Sequence, residues 1–314
     1  MGSRTAFVTS GANGLGLATV RALVDAGWNV FFTYRTSERS ARALTEYALE
    51  HGQRAACIEA DLLDQTQVRR AAATCLEQMQ GVDGLIHNFG PFVFERRSLA
   101  EYSDELWKRM LDGNLNTFFH LYKAFVPGMR ERGFGRVITL GFDGAGEAAG
   151  WRYRSAYAAA KSALASLTRS VAREERQNGI TANMVCPGDI RGPLKERRIG
   201  EVYRPEDHLG RPPVGEDVAR MITFLCDEHS QQVNGTVVEV TGGYDVRAYD
   251  DGKDVVAETA VYAVGDTVRV HPWGRTGHVI AVQSMHNRNV VYEVESGDWK
   301  GSFTAYQLDS PDGD

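Results

Sequence analysis

Three features of the chain predict an α/β fold, a doubly wound parallel sheet followed by a small all-β barrel. Short apolar runs alternate with helix-length amphipathic runs from residue 5 to about residue 240. A glycine-rich turn joins the first apolar run to the first helical one. After residue 264 the hydrophobic period falls to two, with turn residues every few positions. Strands separated by helices need crossover connections, so their sheet is parallel and covered on both faces.

The totals are compatible with this reading. A length of 314 residues exceeds the roughly 250–300 at which a single core stops growing, which leaves room for a second module. The chain is 43% apolar and 24% charged, enough to bury a core, and its net charge is −6. That sign argues against a nucleic-acid backbone or an anionic membrane as partner. Cys57, Cys75, Cys186 and Cys226 are scattered with no Cys-x-x-Cys pair, as reduced thiols would be, and they make neither a disulfide framework nor a zinc site. The sequence has no apolar run of membrane-spanning length, and a strand-like run begins by Thr5, leaving no room for a signal peptide. Gly2 invites a myristoylation reading, but Ala6 stands where that motif needs Ser or Thr. The expectation is a cytoplasmic protein.

Taken in order, residues 5–9 form a strand and Ser10-Gly11-Ala12-Asn13-Gly14-Leu15-Gly16 a glycine turn. A helix then runs through Ala18, Val20, Leu23 and Val24 to Gly27, and residues 28–33 form the second strand. Strand, glycine turn, helix and strand open a dinucleotide-binding βαβ unit, which makes the sheet Rossmann-type. Glycines let the backbone approach a pyrophosphate, and the helix start offers free N–H groups with partial positive charge. At the end of the second strand, where a carboxylate would meet a ribose 2′-hydroxyl, stand Thr33-Tyr34-Arg35-Thr36-Ser37. A guanidinium beside hydroxyls suits a 2′-phosphate, which favours NADP(H); otherwise Arg35 is a solvated loop residue.

The alternation continues with helix 39–51, strand 54–59, helix 65–80 and strand 84–87, which leads into Asn88-Phe89-Gly90. A long helical stretch over 103–132, broken around Pro127, precedes strand 136–140. Helix 156–177, strand 181–185, helix 218–226 and strand 236–240 complete the sheet. Within helix 156–177, Tyr157 and Lys161 are four apart and share one face. A cation beside a phenol favours the phenolate, so the pair could exchange a proton near neutral pH.

Several motifs now stand in a fixed order: the glycine turn, Asp61-Leu62, His87-Asn88-Phe89-Gly90, Asn114, Tyr157-x-x-x-Lys161, Pro187-Gly188-Asp189-Ile190, and Asn234-Gly235 with Gly242-Gly243. From about Thr5 to Val246 the chain resembles a classical short-chain dehydrogenase/reductase. The resemblance implies that Ser10, Asn13, Gly14, Leu15 and Gly16 form the cofactor's phosphate turn. It implies that Asp61 and Leu62 hold the adenine, and that Asn88 and Gly90 lie beside the adenosine ribose. Pro187, Gly188 and Ile190 would pack on the nicotinamide. Tyr157 would be the general acid, Lys161 would hold the nicotinamide ribose, and Asn114 would anchor a water leading from Lys161 to solvent.

The chain departs from that family at three points. Ser10 takes the place of the leading glycine, and Gly192 that of a threonine two residues after Ile190. The family's catalytic serine is missing: counting forward from strand 136–140 reaches Phe142, and counting thirteen back from Tyr157 reaches Gly144. Asp143 lies between the two counts. Either it replaces the serine, as an aspartate does in pteridine reductases of this family, or it is the turn residue of an Asp-Gly pair. Tyr153 and Ser155 are fallback hydroxyls. Pro91, Phe92, Val93, Phe94, Phe142, Trp151 and segment 191–213 are expected to wall the substrate cleft. That segment carries six Lys/Arg against four Asp/Glu and reads either as a lid for an anionic thioester or as a solvated loop.

The organisation predicted is an NADP(H)-binding domain over 1–246, a polar linker over 247–263 and an SH3-like barrel over 264–314. The last 68 residues hold six Lys/Arg against eleven Asp/Glu, which suits oligomer contact or a protein partner better than RNA. Trp273 and Trp299 are either contact residues or barrel core. The function expected is NADP(H)-dependent reduction of a carbonyl in a 3-oxoacyl thioester, a ketone or a pterin-like substrate. Alternatives are enoyl-thioester reduction and a catalytically silent cofactor sensor. The resemblance also implies a homotetramer or homodimer formed through the helices carrying Asn114 and Tyr157.

Overall fold

The protein is described by a computed structural model covering residues 3–95, 97–202, 211–243, 262–270, 275–284, 290–297, 299–304 and 308–309. Trp273, Arg204, Glu206, Asp207, Val246, the 248–258 stretch, Gly274 and the His286-Asn287 turn lie outside the described residues. Two compact units are present.

The larger unit holds seven parallel strands: β1 (Thr5–Val8), β2 (Asn29–Tyr34), β3 (Ala55–Glu59), β4 (Gly84–His87), β5 (Gly135–Leu140), β6 (Ile180–Pro187) and β7 (Val237–Val240). Their order is β3-β2-β1-β4-β5-β6-β7. The chain therefore reverses its direction of travel between β1 and β4, and a crevice opens there at the carboxyl ends of the strands. One face of the sheet is covered by α1 (Gly14–Asp25), α2 (Glu38–Glu50) and α8 (Gly215–Cys226). The other is covered by α3 (Gln65–Met79), α5 (Thr117–Arg132) and α6 (Ser155–Glu174). Short helices α4 (Asp104–Leu111) and α7 (Ile199–Val202) complete the set. Strands β1, β4 and β5 are buried along their whole length, as a doubly covered sheet requires. Phe7, Phe31, Leu85, Phe118, Phe125 and Val137 join in one core beneath α3 and α5.

The long helical stretch is interrupted, but not where Pro127 suggested. Pro127 lies inside α5, and the irregular turn is a π-helical segment at Asp112–Asn116. A π-turn inserts one residue into the helix and rotates the next turns about its axis, a device common at functional sites. Here it carries Asn114 inward, fully buried.

On the far side of the sheet's active edge, Glu175 ties α5 to the end of α6. Its side chain is fully buried and accepts bonds from Tyr122 Oη at 2.7 Å, Arg130 Nε at 2.9 Å and Asn178 Nδ2 at 2.8 Å. These donors, Arg130 first, hold its carboxyl down at about 2.

The smaller unit is an antiparallel sheet in the order β11-β10-β9-β8-β12. Its strands are β8 (Thr267–Val270), β9 (Arg275–Ser284), β10 (Val290–Ser296), β11 (Trp299–Thr304) and β12 (Leu308–Asp309). No ladder joins edge strands β11 and β12 among the described residues. Val268, Val270, Val279, Tyr292, Val294 and Phe303 make its core. Trp299, half-buried, packs edge-on against Phe303 at 5.9 Å at the margin of this core. Tyr262 also packs on this core and donates to Leu308 O at 3.1 Å, so the module includes a residue expected in the linker.

Glu175 provides a test of the α5–α6 tie. Its folded pKa lies below the usual carboxylate value, so the stability it adds is present above about pH 5 and lost as pH falls towards about 2. Denaturant melts of wild type and Glu175→Gln should differ by on the order of 2 kcal/mol at pH 7 and converge near pH 2–3.

Candidate active site

The crevice is built from the ends of β1, β4, β5 and β6. Ser10 takes a left-handed backbone (φ 52°), the conformation a leading glycine would adopt without strain. The turn holds because Ser10 N donates to Thr33 Oγ1 at 2.9 Å and Gly11 N to Thr33 O at 2.8 Å. At Gly16 a Cβ would stand 2.0 Å from Ser10 O, so only glycine permits this closeness. Asn88 Nδ2 donates to Thr9 O at 3.2 Å and Ser10 O at 3.4 Å. Asn88 therefore staples the end of β4 to the phosphate turn. Asn13 makes no cap to α1; its amide donates to Ser37 Oγ at 3.2 Å.

The amide of Gly14, first residue of α1, donates to Glu196 Oε1 at 2.7 Å. The turn thus already holds an anionic oxygen, as a phosphate seat should. Leu15 sits in the same first turn, where its carbonyl accepts from Thr19. Asp61 Oδ1 accepts from Leu63 N at 3.0 Å, and the buried Leu62 offers its carbonyl to Thr117 Oγ1 at 2.8 Å. Arg35 is exposed at the end of β2, with Ser37 half-buried beside it in sequence. Gly188 N donates to Val240 O at 2.9 Å, and a Cβ at Gly188 would lie 2.9 Å from Thr241 Cα. Pro187 is half-buried and Ile190 is buried.

Tyr157 and Lys161 lie in the first two turns of α6. The Lys161 side chain is buried, its Nζ donating to Leu140 O at 2.6 Å and lying 5.8 Å from the Tyr157 ring centre. Burial pushes its ammonium down to about 8. Burial also raises the Tyr157 phenol above its ordinary value, with the Cys186 thiol adding to the rise. Burial is the larger of the two causes, and the ring is packed on three sides by other rings. Phe92 meets it edge-on at 4.9 Å, Phe142 at 5.8 Å and Trp151 at 6.1 Å.

Asn114 donates to Pro91 O at 2.9 Å and Met110 O at 3.0 Å. Its buried Oδ1 accepts no bond among the described residues. A Cβ built on Gly90 would lie 2.2 Å from that Oδ1 and 3.2 Å from Lys161 Nζ, so amide oxygen and ammonium converge on one spot that the missing side chain leaves open.

Phe142 packs its ring on Tyr157, so a buried apolar side chain stands just past β5, at the first of the two serine counts. Asp143 is buried, and its charge adds to the rise of the Cys186 thiol. Of the other expected wall residues, Val93 is buried against Met110 and Ala156, and Phe94 is exposed. Tyr153 precedes α6 with a left-handed φ of 63°, a strained setting for a bulky residue.

Sequence reasoning missed Leu140 O, Glu196 and His87. The His87 ring is fully buried, neither nitrogen is bonded among the described residues, and burial beside Lys161 pushes it down to about 3. Its place before Asn88 was the only signal. No cluster that could hold a metal ion is found among the described residues, and none of their helices is long and apolar enough to cross a membrane.

A glycine turn at the switch point of a parallel sheet, facing a Tyr–Lys pair, defines a nicotinamide-cofactor oxidoreductase. Comparison with known proteins agrees. A family model described as Enoyl-(Acyl carrier protein) reductase matches residues 10–245. YtkK of Bacillus subtilis (strain 168), provisionally described as an oxidoreductase, is 45% identical over 77% of this chain and 97% of its own. A solved chain from Bacillus thuringiensis, provisionally described as a 3-oxoacyl-reductase, is 43% identical with a TM-score of 0.73, covering 78% of this chain and 99% of that one. A blue fluorescent protein from a metagenomic library, solved in complex with NADPH, is 33% identical with a TM-score of 0.67, covering 77% and 98%. The chain belongs to the short-chain dehydrogenase/reductase family.

The depressed Lys161 gives a stability test. Its folded value near 8 lies below the roughly 10.4 of an unfolded lysine, so between those pH values the unfolded chain binds more protons and stability rises with pH. Lys161→Met should be more stable than wild type at pH 7, by on the order of 2 kcal/mol. Melts repeated between pH 8 and pH 10.5 should show that advantage shrinking.

Proposed function

We propose that the chain is an NADP(H)-dependent reductase of a carbonyl, in a 3-oxoacyl thioester, a ketone or a pterin-like substrate, with Tyr157 as general acid. The observation that carries this reading is the convergence of Tyr157, buried Lys161 and the open Asn114 Oδ1 at the carboxyl edge of the sheet. The nicotinamide, when bound, supplies the hydride. Everything else is the work of side chains. A phenol raised by burial keeps its proton until a substrate oxygen gains negative charge, and then gives it up. The neighbouring ammonium stabilises the tyrosinate left behind, and the Asn114 oxygen orients the water through which Lys161 is reprotonated.

Ser10, Asn13, Gly14, Leu15 and Gly16 would hold the phosphates, Asp61 and Leu62 the adenine, and Asn88 and Gly90 the adenosine ribose. Pro187, Gly188 and Ile190 would face the nicotinamide. Arg35, exposed after β2 with Ser37 drawn to Asn13, supports NADP(H), as does the NADPH complex of the metagenomic relative. Asp143 is the proposed substrate-orienting group in place of serine; the alternative is a structural turn residue facing Cys186.

Phe142 favours a second reading, enoyl-thioester reduction. An apolar ring in the serine's place offers a carbonyl no hydrogen bond, and the matching family model carries that description. In either case we take the protein as cytoplasmic, with the module over 264–314 as a separate domain after a linker. We also take it as a homodimer or homotetramer through α4, α5 and α6, where Trp107 and Phe119 are exposed, with the small module free to dock a protein partner.

Following NADPH oxidation with ketones, 3-oxoacyl thioesters, enoyl thioesters and dihydrobiopterin separates these readings. Tyr157→Phe should retain NADPH binding and lose about 100-fold or more in turnover; full turnover would sink the assignment. Loss of the Lys161 proton should lower kcat/KM for NADPH as pH rises through about 8. Asp143→Asn should cost turnover if Asp143 orients substrate, and leave it unchanged if it only shapes the turn.

A further inference from the structure

Beyond β6 the chain passes through a 3₁₀ turn, Gly192–Glu196, and comes back over the start of α1. It does not float there as a solvated loop. Lys195 O lies so close to Gly215 that a Cβ on that glycine would stand 1.8 Å away. Arg21 Nη1 donates to Glu196 O at 3.4 Å, and Arg198 Nη2 reaches Tyr47 Oη at 2.7 Å and Asp25 at 3.3 Å. Ile199 N donates to the Glu216 carboxylate at the start of α8. The strap is thus fixed to α1, α2 and α8 by both backbone and side chains.

These anchors deliver one carboxylate to one amide. Helix α1 has no acidic residue in its first turn and no side-chain cap. Its first N–H therefore lacks a local acceptor. The acceptor it finds is Glu196 Oε1, at 2.7 Å, from 182 residues further along the chain. Gly14 N is also an amide that the cofactor reading gives to the pyrophosphate. An N–H has one proton to donate, and a carboxylate and a phosphate repel each other, so the two cannot occupy this seat together.

We propose that Glu196 is a built-in competitor for the cofactor's pyrophosphate, seated on Gly14 in the free enzyme and displaced when the dinucleotide enters. This rests on the cofactor reading given above and adds to it a residue that sets cofactor affinity. Glu196 is exposed, so its carboxylate can leave into water without being buried elsewhere. Only molecules in which it has left accept the pyrophosphate, and the apparent dissociation constant is raised by that fraction. On the way out, the returning carboxylate takes the amide back and favours release.

The test uses the full chain with Glu196→Gln and Glu196→Ala, both checked for fold by circular dichroism. Dissociation constants are measured without substrate for three probes: NADPH, ADP-ribose, and adenosine 2′-monophosphate, which has no pyrophosphate. If Glu196 holds the seat in about nine of ten free molecules, both variants bind NADPH and ADP-ribose about tenfold more tightly, with the monophosphate unchanged. Equal or weaker pyrophosphate binding in both variants overturns the proposal. So does a gain that extends to the monophosphate, which would be a general charge effect. If the wild type binds neither NADPH nor ADP-ribose, the cofactor reading itself fails, and this inference with it.

Discussion

One ammonium ion buried under the carboxyl edge of a parallel sheet shapes the rest of this site. Lys161 sits in the second turn of α6, out of water, with Leu140 O at 2.6 Å as its acceptor. Parallel strands leave carbonyls unpaired where they end, and β5 ends at Leu140, so the sheet itself supplies the partial negative charge. That single bond does not offset the loss of hydration, which is why the ammonium holds its proton only up to about pH 8. The neighbours are set by this ion. Burial, with the Lys161 charge adding to it, pushes His87 down to about 3, Asn114 turns an oxygen towards the same space, and Gly90 must lack a side chain for both to fit.

The phenol is governed by packing more than by charge. Phe92, Phe142 and Trp151 pack against the half-buried Tyr157 ring. Burial, with the Cys186 thiol adding to it, raises the phenol above its ordinary value. That is the state a general acid needs before reduction. Asp143, one residue beyond Phe142, is buried, and its charge adds to the rise of the Cys186 thiol.

Most of the larger unit was legible in the chain. The order of helices and strands, the glycine turn and the Tyr157–Lys161 pair all rest on local spacing, which a sequence displays directly. Element ends moved by a few residues, since hydrogen bonding across the sheet, and not propensity, sets where strands stop. Pro127 misled because its missing N–H is tolerated inside α5, whereas the π-turn at Asn114 has no breaker residue to announce it. The small module's strands were likewise visible from their period.

By itself the sequence determined the alternating architecture, the phosphate turn and the facing of phenol and ammonium on one helix, because each depends on residues within a few positions of one another. Only the tertiary structure decided that burial would raise the Tyr157 phenol, that Phe142 would pack its ring against it, and that Glu196 would reach Gly14 from 182 residues away. Those outcomes depend on desolvation and on contacts between distant segments. Both are properties of the packed interior, and no local pattern in the chain encodes them.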